Sequence, residues 1–566
     1  MKSRTTGILI ILVVGIFSFG LQAQNIRKDT VTILSFNDFH GAFISGADVP
    51  GADNFMTALL NVKNKMPNPV ILSGGDNFSG SYYSLMSNGE PHQVFTLPVS
   101  PDKMVSAVGN HEFDWGTDFL LDTSCKYINY VGANLTRLKD NKTFKDAVPD
   151  SRIINISNGK DTLKIGIIGI STPTTPFGGK KPFVDEFAFD AKFSSKVSSI
   201  ATSLKTKSRV DLVVLLMHIG TSMKDGKPAI DDTDKGSEEE LRKIDDVDAI
   251  VSAHSHKLVR GGFAIANGKK TVPMIQAKTN GSHIGMLQFE LSDKRVRFIK
   301  DSLIAVPVPN WEIKQMVDSI SATGGFQQTI VRSEKNLIHD RNINLHEFTE
   351  VGAIVTASYL NQYSKSQDVD NSQASKDARG KAERSVIAVH HFKGIRTGIA
   401  EGELSRSQVG NILPFGGNLA AYKMTGSEVR KLFEAGMDTT QSRGRLQTCN
   451  MKFELTGQKI TAMKWFDGEA YADITDNMEC ILLCDDFIAY GGDGYDIGLF
   501  HTRIAGFSGY VTTDCLIQYL KECEVVPNLR YKIPEVTKKP AREEEGVKST
   551  IKGWEVIDGG NVEVTM

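Results

Sequence analysis

The octet "GNHEFDWG" (109–116) follows the apolar run "MVSAV" (104–108) and gathers an Asn, a His, a Glu and an Asp into five positions between two glycines. Polar side chains with lone pairs are costly to bury without partners, so this crowding directly behind a strand-like run needs a cause. The flanking Gly109 and Gly116 let the backbone turn sharply. The arrangement recurs along the N-terminal half. "VTILSF" (31–36) runs into "NDFHG", and "NPVILSGGDNFSG" (68–80) carries Asp76. "DLVVLLMHIG" (211–220) carries His218, and "VDAIVSAHSH" (247–256) ends on His254 and His256. Continuous apolar runs predict strands buried on both faces, with helix-like stretches such as "NFMTALLNVKNKM" (54–66) between them. The expected class is α/β, with ligand-type residues just beyond the strand ends, where such sheets build their sites.

At 566 residues the chain is too long for one hydrophobic core, so two or more domains are expected. Sixty-five Lys+Arg against 67 Asp+Glu give a formal charge of −2, which points to neither a nucleic-acid polymer nor an anionic membrane as partner. The opening "MKSRTTGILIILVVGIFSFGLQAQ" has a basic start, a short apolar run and a small-residue exit near Ala23, the layout of a cleaved export signal over 1–23. The expected protein has no membrane association after cleavage and is periplasmic or secreted. Cys125, Cys449, Cys480, Cys484, Cys515 and Cys523 show no metal-finger spacing. One or two disulfides or buried free thiols both remain open from the sequence. "WEIKQMVDSISATG" (311–324) reads as a connecting helix and the polar "SKSQDVDNSQASKDARGKAER" (364–384) as a mobile surface insertion.

Taken in order, the ligand-type residues are Asp38 and His40 (D-x-H), Asp76 (G-G-D), Asn110 and His111 (N-H), His218, and His254 with His256 (H-x-H). Each alone is weak. Together they offer oxygen and nitrogen donors with no Cys, a set suited to Zn, Mn, Fe, Co or similar divalent ions. The set is too large for one tetrahedral site and about right for two ions sharing a carboxylate. No G-x-S-x-G elbow offers a rival nucleophile.

In this order the motifs resemble the calcineurin-like metallophosphoesterases, and "GNHEFDWG" together with a second globular region narrows the resemblance to the 5′-nucleotidase family. The resemblance implies a four-layer β-sandwich flanked by helices over 28–310 and a linker helix over 311–330. A smaller α+β substrate-binding domain over 331–530 and a charged tail over 531–566 follow. It implies one ion on Asp38, His40, Asp76 and His256, and a second on Asp76, Asn110, His218 and His254. His111, oriented by Asp114, would stabilise charge on the transferring phosphoryl group, with Phe113 and Trp115 as packing residues and Glu112 as a local hydrogen-bonding group.

In the second half, "HFKGIR" (391–396), "LPFGG" (413–417) and "DDFIAYGGDGY" (485–495) nominate Arg396, Phe415, Phe487 and Asp493 for the substrate. In the family the two aromatics sandwich the base and the Asp holds ribose hydroxyls. The chain departs from the pattern at several points. His391 stands where the family has Asn, Phe392 and Lys393 replace glycines, Tyr490 replaces Asn, and Ala253 replaces Gly. "NLHEFTEVGAIVTASYL" (344–360) lacks the family's Arg and Asp, leaving Lys393 as a substitute cation. The implied activity is hydrolysis of nucleoside 5′-monophosphates, a small-molecule substrate, by two divalent ions. UDP-sugars, nucleoside di- or triphosphates, 2′,3′-cyclic nucleotides or a non-nucleotide ester are the alternatives. A non-catalytic nucleotide-binding surface protein is disfavoured because every catalytic position is filled.

Overall fold

The computed structural model describes residues 29–45, 49–87, 104–157, 162–180, 183–292, 295–307, 326–369, 385–441, 443–466, 469–504, 507, 509–529 and 533–539. The export signal expected over 1–23 and the linker helix expected over 311–324 lie outside these residues. Two sheets form the N-terminal half. One runs in the order Arg295–Ala305, His283–Ser292, Asp29–Phe36, Pro69–Ser73, Met104–Ala107, Asn129–Val131. The other runs Leu258–Ile265, Lys270–Ala277, Ala249–Ala253, Leu212–Lys224, Thr162–Ser171, Ser151–Ser157, with Lys227–Ile230 added to Leu212–Lys224. Central strands pair in parallel, as does the edge strand Asn129–Val131, and the remaining edges are antiparallel.

The period of two along each strand explains why the runs are apolar throughout. Val31, Ile33, Val70, Leu72, Val105, Leu212, Val214 and Leu216 face the opposite sheet in one shared core. The alternate residues Leu34, Phe36, Ile71 and Met104 pack outward with Phe55 and Leu59 of the helix Ala52–Lys65. Val213, Leu215 and Met217 pack outward with Val197 and Ala201 of the helix Ser194–Thr206. Helix, sheet, sheet and helix make four layers, the architecture implied by the motifs.

The C-terminal half is built on a five-stranded sheet in the order Gln447–Thr448, Ser385–His390, Glu479–Asp485, Asn418–Thr425, Tyr510–Val511. The helices Glu350–Val369 and Thr512–Lys521 pack together on one face, and Gly426–Met437 covers the other. Two expectations change here. The polar stretch beginning at 364 continues the helix to Val369, and the charged tail contributes Glu535–Lys539 as a strand parallel to Met451–Thr456. All six cysteines are free thiols.

The halves are joined by a plug. Tyr82, on the short helix Tyr82–Met86 that follows the Asp76 loop, is 1% exposed and belongs to the C-terminal core beside Val409 and Leu413. Its hydroxyl accepts from Arg406 Nε at 2.9 Å, and its backbone N–H donates to Asn411 Oδ1 at 2.9 Å. A Cβ on Gly410 would overlap its ring, so glycine is required there by close approach. Tyr82→Ala is expected to lose about 3–5 kcal/mol in urea unfolding, whereas Tyr82→Phe, which deletes only the Arg406 bond, should lose about 1 kcal/mol.

Candidate active site

Asp38 and His40 lie beyond Asp29–Phe36, Asp76 beyond Pro69–Ser73, Asn110 beyond Met104–Ala107, and His254 and His256 beyond Ala249–Ala253. His218 differs from the strand-end expectation. It sits inside Leu212–Lys224, in register with Ser171 at the end of the neighbouring strand. Five of these residues have left-handed backbones: Asp38 (φ 49°), His40 (51°), Asp76 (55°), His254 (71°) and His256 (59°). Non-glycine residues adopt this region rarely and at a cost, and such strain clusters at functional sites.

The donor atoms converge. Asp76 Oδ2 is 3.2 Å from His218 Nε2 and 3.9 Å from His40 Nε2. Asp38 Oδ1 is 3.3 Å from His256 Nε2 and 3.9 Å from His40 Nε2. His218 Nε2 is 3.2 Å from both Asn110 Oδ1 and His254 Nδ1. Backbone carbonyls fix the imidazoles: His40 Nδ1 donates to Ser79 O and His218 Nδ1 to Gly74 O, each at 2.8 Å, which turns their Nε2 atoms inward. Asn110 Nδ2 donates to Gly178 O at 3.1 Å, freeing its Oδ1 for the same point. Asp38–His40–His256 and Asp76–His218–His254 are two adjacent sets able to hold a metal ion, with Asp76 and His40 also grouped with His111. All the donors are N or O, and the two sets touch through Asp76, so the residues fit two divalent ions bridged by one carboxylate.

Electrostatics divide the imidazoles. Burial first, then their mutual contact, pushes His40 well below the usual range, and burial followed by Arg341 and Arg396 does the same to His256. Neutral imidazole is the ligating form. His218 and His111 are the exceptions: burial would lower both, but the Asp76 charge raises His218 to about 10, and the Asp114 and Asp76 charges raise His111. His111 Nδ1 lies 2.8 Å from Asp114 Oδ2, which also accepts from Ser79 Oγ at 2.5 Å.

Glu112 reaches further than a local role. Its carboxylate accepts from the N–H groups of Gly109 (2.6 Å), Asp76 (2.9 Å) and Asn77 (2.9 Å), and from Asn77 Nδ2 (3.1 Å). Gly109 must lack a side chain, because a Cβ would overlap Asp76 Oδ1. Asn37, unremarked in the sequence, donates to Asp38 Oδ2 and to Lys278 O at 2.6 Å each and accepts from Ala277 N at 2.7 Å. Its position beside the D-x-H motif was the available signal.

The C-terminal half closes over this cluster. A cavity of about 950 Å³ is lined by Asp76, Asn110, His111, His254 and His256 from one side. The other side supplies His391, Lys393, Arg396, Phe415, Phe487 and Asp493. Arg396 Nη2 is 3.4 Å from His40 Nε2, and its guanidinium lies 5.2 Å from the centre of the Phe415 ring. Phe415 stacks on His111 (4.7 Å, 5°) and Phe487 on His391 (4.4 Å, 27°), so each ring already has one face covered. Asp493, itself left-handed, places Oδ1 3.7 Å from Lys393 Nζ and leaves a buried Oδ2 without a hydrogen-bond partner.

Arg341 is a residue that motif reading missed. Its guanidinium donates to Ser255 O at 2.8 Å from across the domain boundary and lines the same cavity. It lies just ahead of the segment compared with the family pattern, and nothing local marks it.

Models of the calcineurin-like phosphoesterases match residues 31–258, and the model of the 5′-nucleotidase C-terminal domain matches residues 340–498. The chain is a calcineurin-like phosphoesterase with a 5′-nucleotidase C-terminal domain. It is similar to the trifunctional nucleotide phosphoesterase YfkN of Bacillus subtilis, 24% identical over 572 residues, which cover 91% of this chain. The match spans only 35% of that longer relative. It is also similar to the 5′-nucleotidase of Vibrio vulnificus, 23% identical over 527 residues covering 85% of this chain and 88% of the relative. The solved 5′-nucleotidase precursor of Thermus thermophilus shares the fold, with a TM-score of 0.70 at 22% identity over 90% of this chain and 100% of its own. Membership makes the chain a metal-dependent phosphoester hydrolase.

Within this phosphoesterase Glu112 joins the Asp76 and Gly109 turns. Glu112→Gln should lose about 1–3 kcal/mol in urea unfolding of chelator-treated protein, because the new amide meets N–H groups that need an acceptor.

Proposed function

We propose that this phosphoesterase is exported and hydrolyses nucleoside 5′-monophosphates. The observation that supports the reading is the shared cavity: the metal-ligand cluster on one wall and Arg396, Phe415, Phe487 and Asp493 on the other. Asp38, His40, Asp76 and His256 would hold one divalent ion, and Asp76, Asn110, His218 and His254 the second. Bound there, Zn, Mn or Co ions supply Lewis acidity and a more acidic water for in-line attack on phosphorus. With Nδ1 committed to Asp114, His111 presents Nε2–H to the oxygens that gain charge. Arg396 and Arg341 bring fixed positive charge to either side of the cluster, Arg341 filling the place of the Arg absent from 344–360.

On the nucleoside side, Phe415 and Phe487, which line the same cavity, would grip a base, and the orphaned Asp493 Oδ2 would accept a ribose hydroxyl. Among the described residues no helix is long and apolar enough to cross a membrane. The export signal proposed over 1–23 directs the chain to the periplasm or outside the cell. The size of the cavity, about 950 Å³, also suits a longer phosphate chain or a nucleotide sugar.

Phosphate release from AMP, UMP, ATP, UDP-glucose, 2′,3′-cyclic AMP and p-nitrophenyl phosphate, with and without Mn²⁺ or Zn²⁺, tests the reading. Metal-dependent turnover favouring the monophosphates is expected. Turnover of the generic ester alone would sink the nucleoside pocket. His111→Ala should lower kcat about 10²–10³-fold with little change in fold. Phe487→Ala should raise KM for AMP by a factor set by about 1–3 kcal/mol of stacking and leave p-nitrophenyl phosphate unchanged.

A further inference from the structure

We propose that His390, His391 and Asp485 form a third metal site in the C-terminal domain, separate from the dinuclear cluster, for a divalent ion that takes nitrogen and oxygen ligands. The two histidines lie at the end of the strand Ser385–His390, and Asp485 closes the adjacent parallel strand Glu479–Asp485. All three are buried, and their donor atoms lie within 4.8 Å of one another.

The spacing is that of a set able to hold a metal ion. Asp485 Oδ2 is 3.1 Å from His391 Nδ1 and 3.5 Å from His390 Nδ1. Tetrahedral ligands at about 2.0–2.1 Å from zinc stand about 3.3 Å apart. The dinuclear cluster shows the same interval, with Asp76 to His218 at 3.2 Å and Asp38 to His256 at 3.3 Å. His391 Nδ1 has the Asp485 carboxylate as its one close polar neighbour among the described residues, and His390 Nε2 is buried without a partner. Ordinary burial leaves few such atoms unpaired.

The surroundings hold the set in place. Asp485 Oδ1 accepts from Ile488 N at 3.2 Å, capping the short helix Asp486–Ala489. Phe487 stacks on His391, and the Tyr359 hydroxyl hydrogen-bonds His390 Nδ1 at 2.9 Å, which leaves Nε2 as the free ring nitrogen. Gly394 faces the imidazoles, where a Cβ would overlap His391. Burial pushes His390 down to about 3. Against burial, the neighbouring imidazoles hold Asp485 at about 2. Neutral imidazole and ionised carboxylate are the ligating forms. His390, His391 and Asp485 all line the large cavity, which gives an ion an entry path and an open position toward the substrate.

The test is metal stoichiometry of the full chain, stripped with chelator and titrated with Co²⁺ followed by visible absorption, then with Zn²⁺ followed by elemental analysis. Wild type should take three equivalents, and His390→Asn and Asp485→Asn two. Asp76→Asn, which damages the dinuclear cluster, should keep the tetrahedral Co²⁺ band. Because Asp485 also caps a helix, His390→Asn carries the result if Asp485→Asn fails to fold. Two equivalents in wild type, or equal stoichiometry in wild type and His390→Asn, would overturn the site and leave the dinuclear reading untouched.

Discussion

The Glu112 carboxylate is the interaction on which the site depends. Asp76 must turn through a left-handed backbone to aim its carboxylate between two histidine sets, and a non-glycine residue does not hold that conformation unaided. Glu112 supplies the restraint by accepting the N–H groups of Asp76, Asn77 and Gly109. One buried side chain thus ties the turn after the second strand of the sheet to the turn after the third. The same turn presents Asn110 and His111, and His111 N donates to Asp76 Oδ1 at 2.9 Å. The positions of Asp76, Asn110 and His111 are therefore set by one small knot of hydrogen bonds.

The second constraint acts between the halves. Tyr82 leaves the Asp76 loop and enters the C-terminal core, while Arg341 and Arg396 reach back toward Ser255 and His40. Both directions of contact start within a few residues of the proposed metal ligands. The orientation of the proposed nucleoside wall is thus coupled to the proposed metal wall through packed side chains.

Much of this was legible before the fold was known. The strand runs are apolar on both faces because each sheet is covered on both sides, and alternate residues such as Leu34 and Ile33 enter different cores. The D-x-H, G-D, N-H and H-x-H motifs stood out because candidate ligating groups must follow strands closely to meet where the ends of the two sheets come together. His218 was legible as a residue and misplaced as a strand end, since the strand runs on to Lys224. The polar stretch from 364 continued a helix, because its first residues extend one that is anchored against Ser385–His390 and Thr512–Lys521. Arg341 escaped because its partner, Ser255, is 86 residues away on another domain, and no local pattern encodes such a meeting.

The resemblance of the motifs implied that the candidate donors share one cluster, and by itself the sequence determined the layered α/β class and the chemistry that nitrogen and oxygen donors can support. Those properties follow from residue type and from periodicity, which are local. Only the tertiary structure decided that Glu112 braces Asp76, that Tyr82 plugs the second domain, and that His390 and His391 face Asp485. Each joins residues distant in the chain, and their distances are set by how sheets and domains pack.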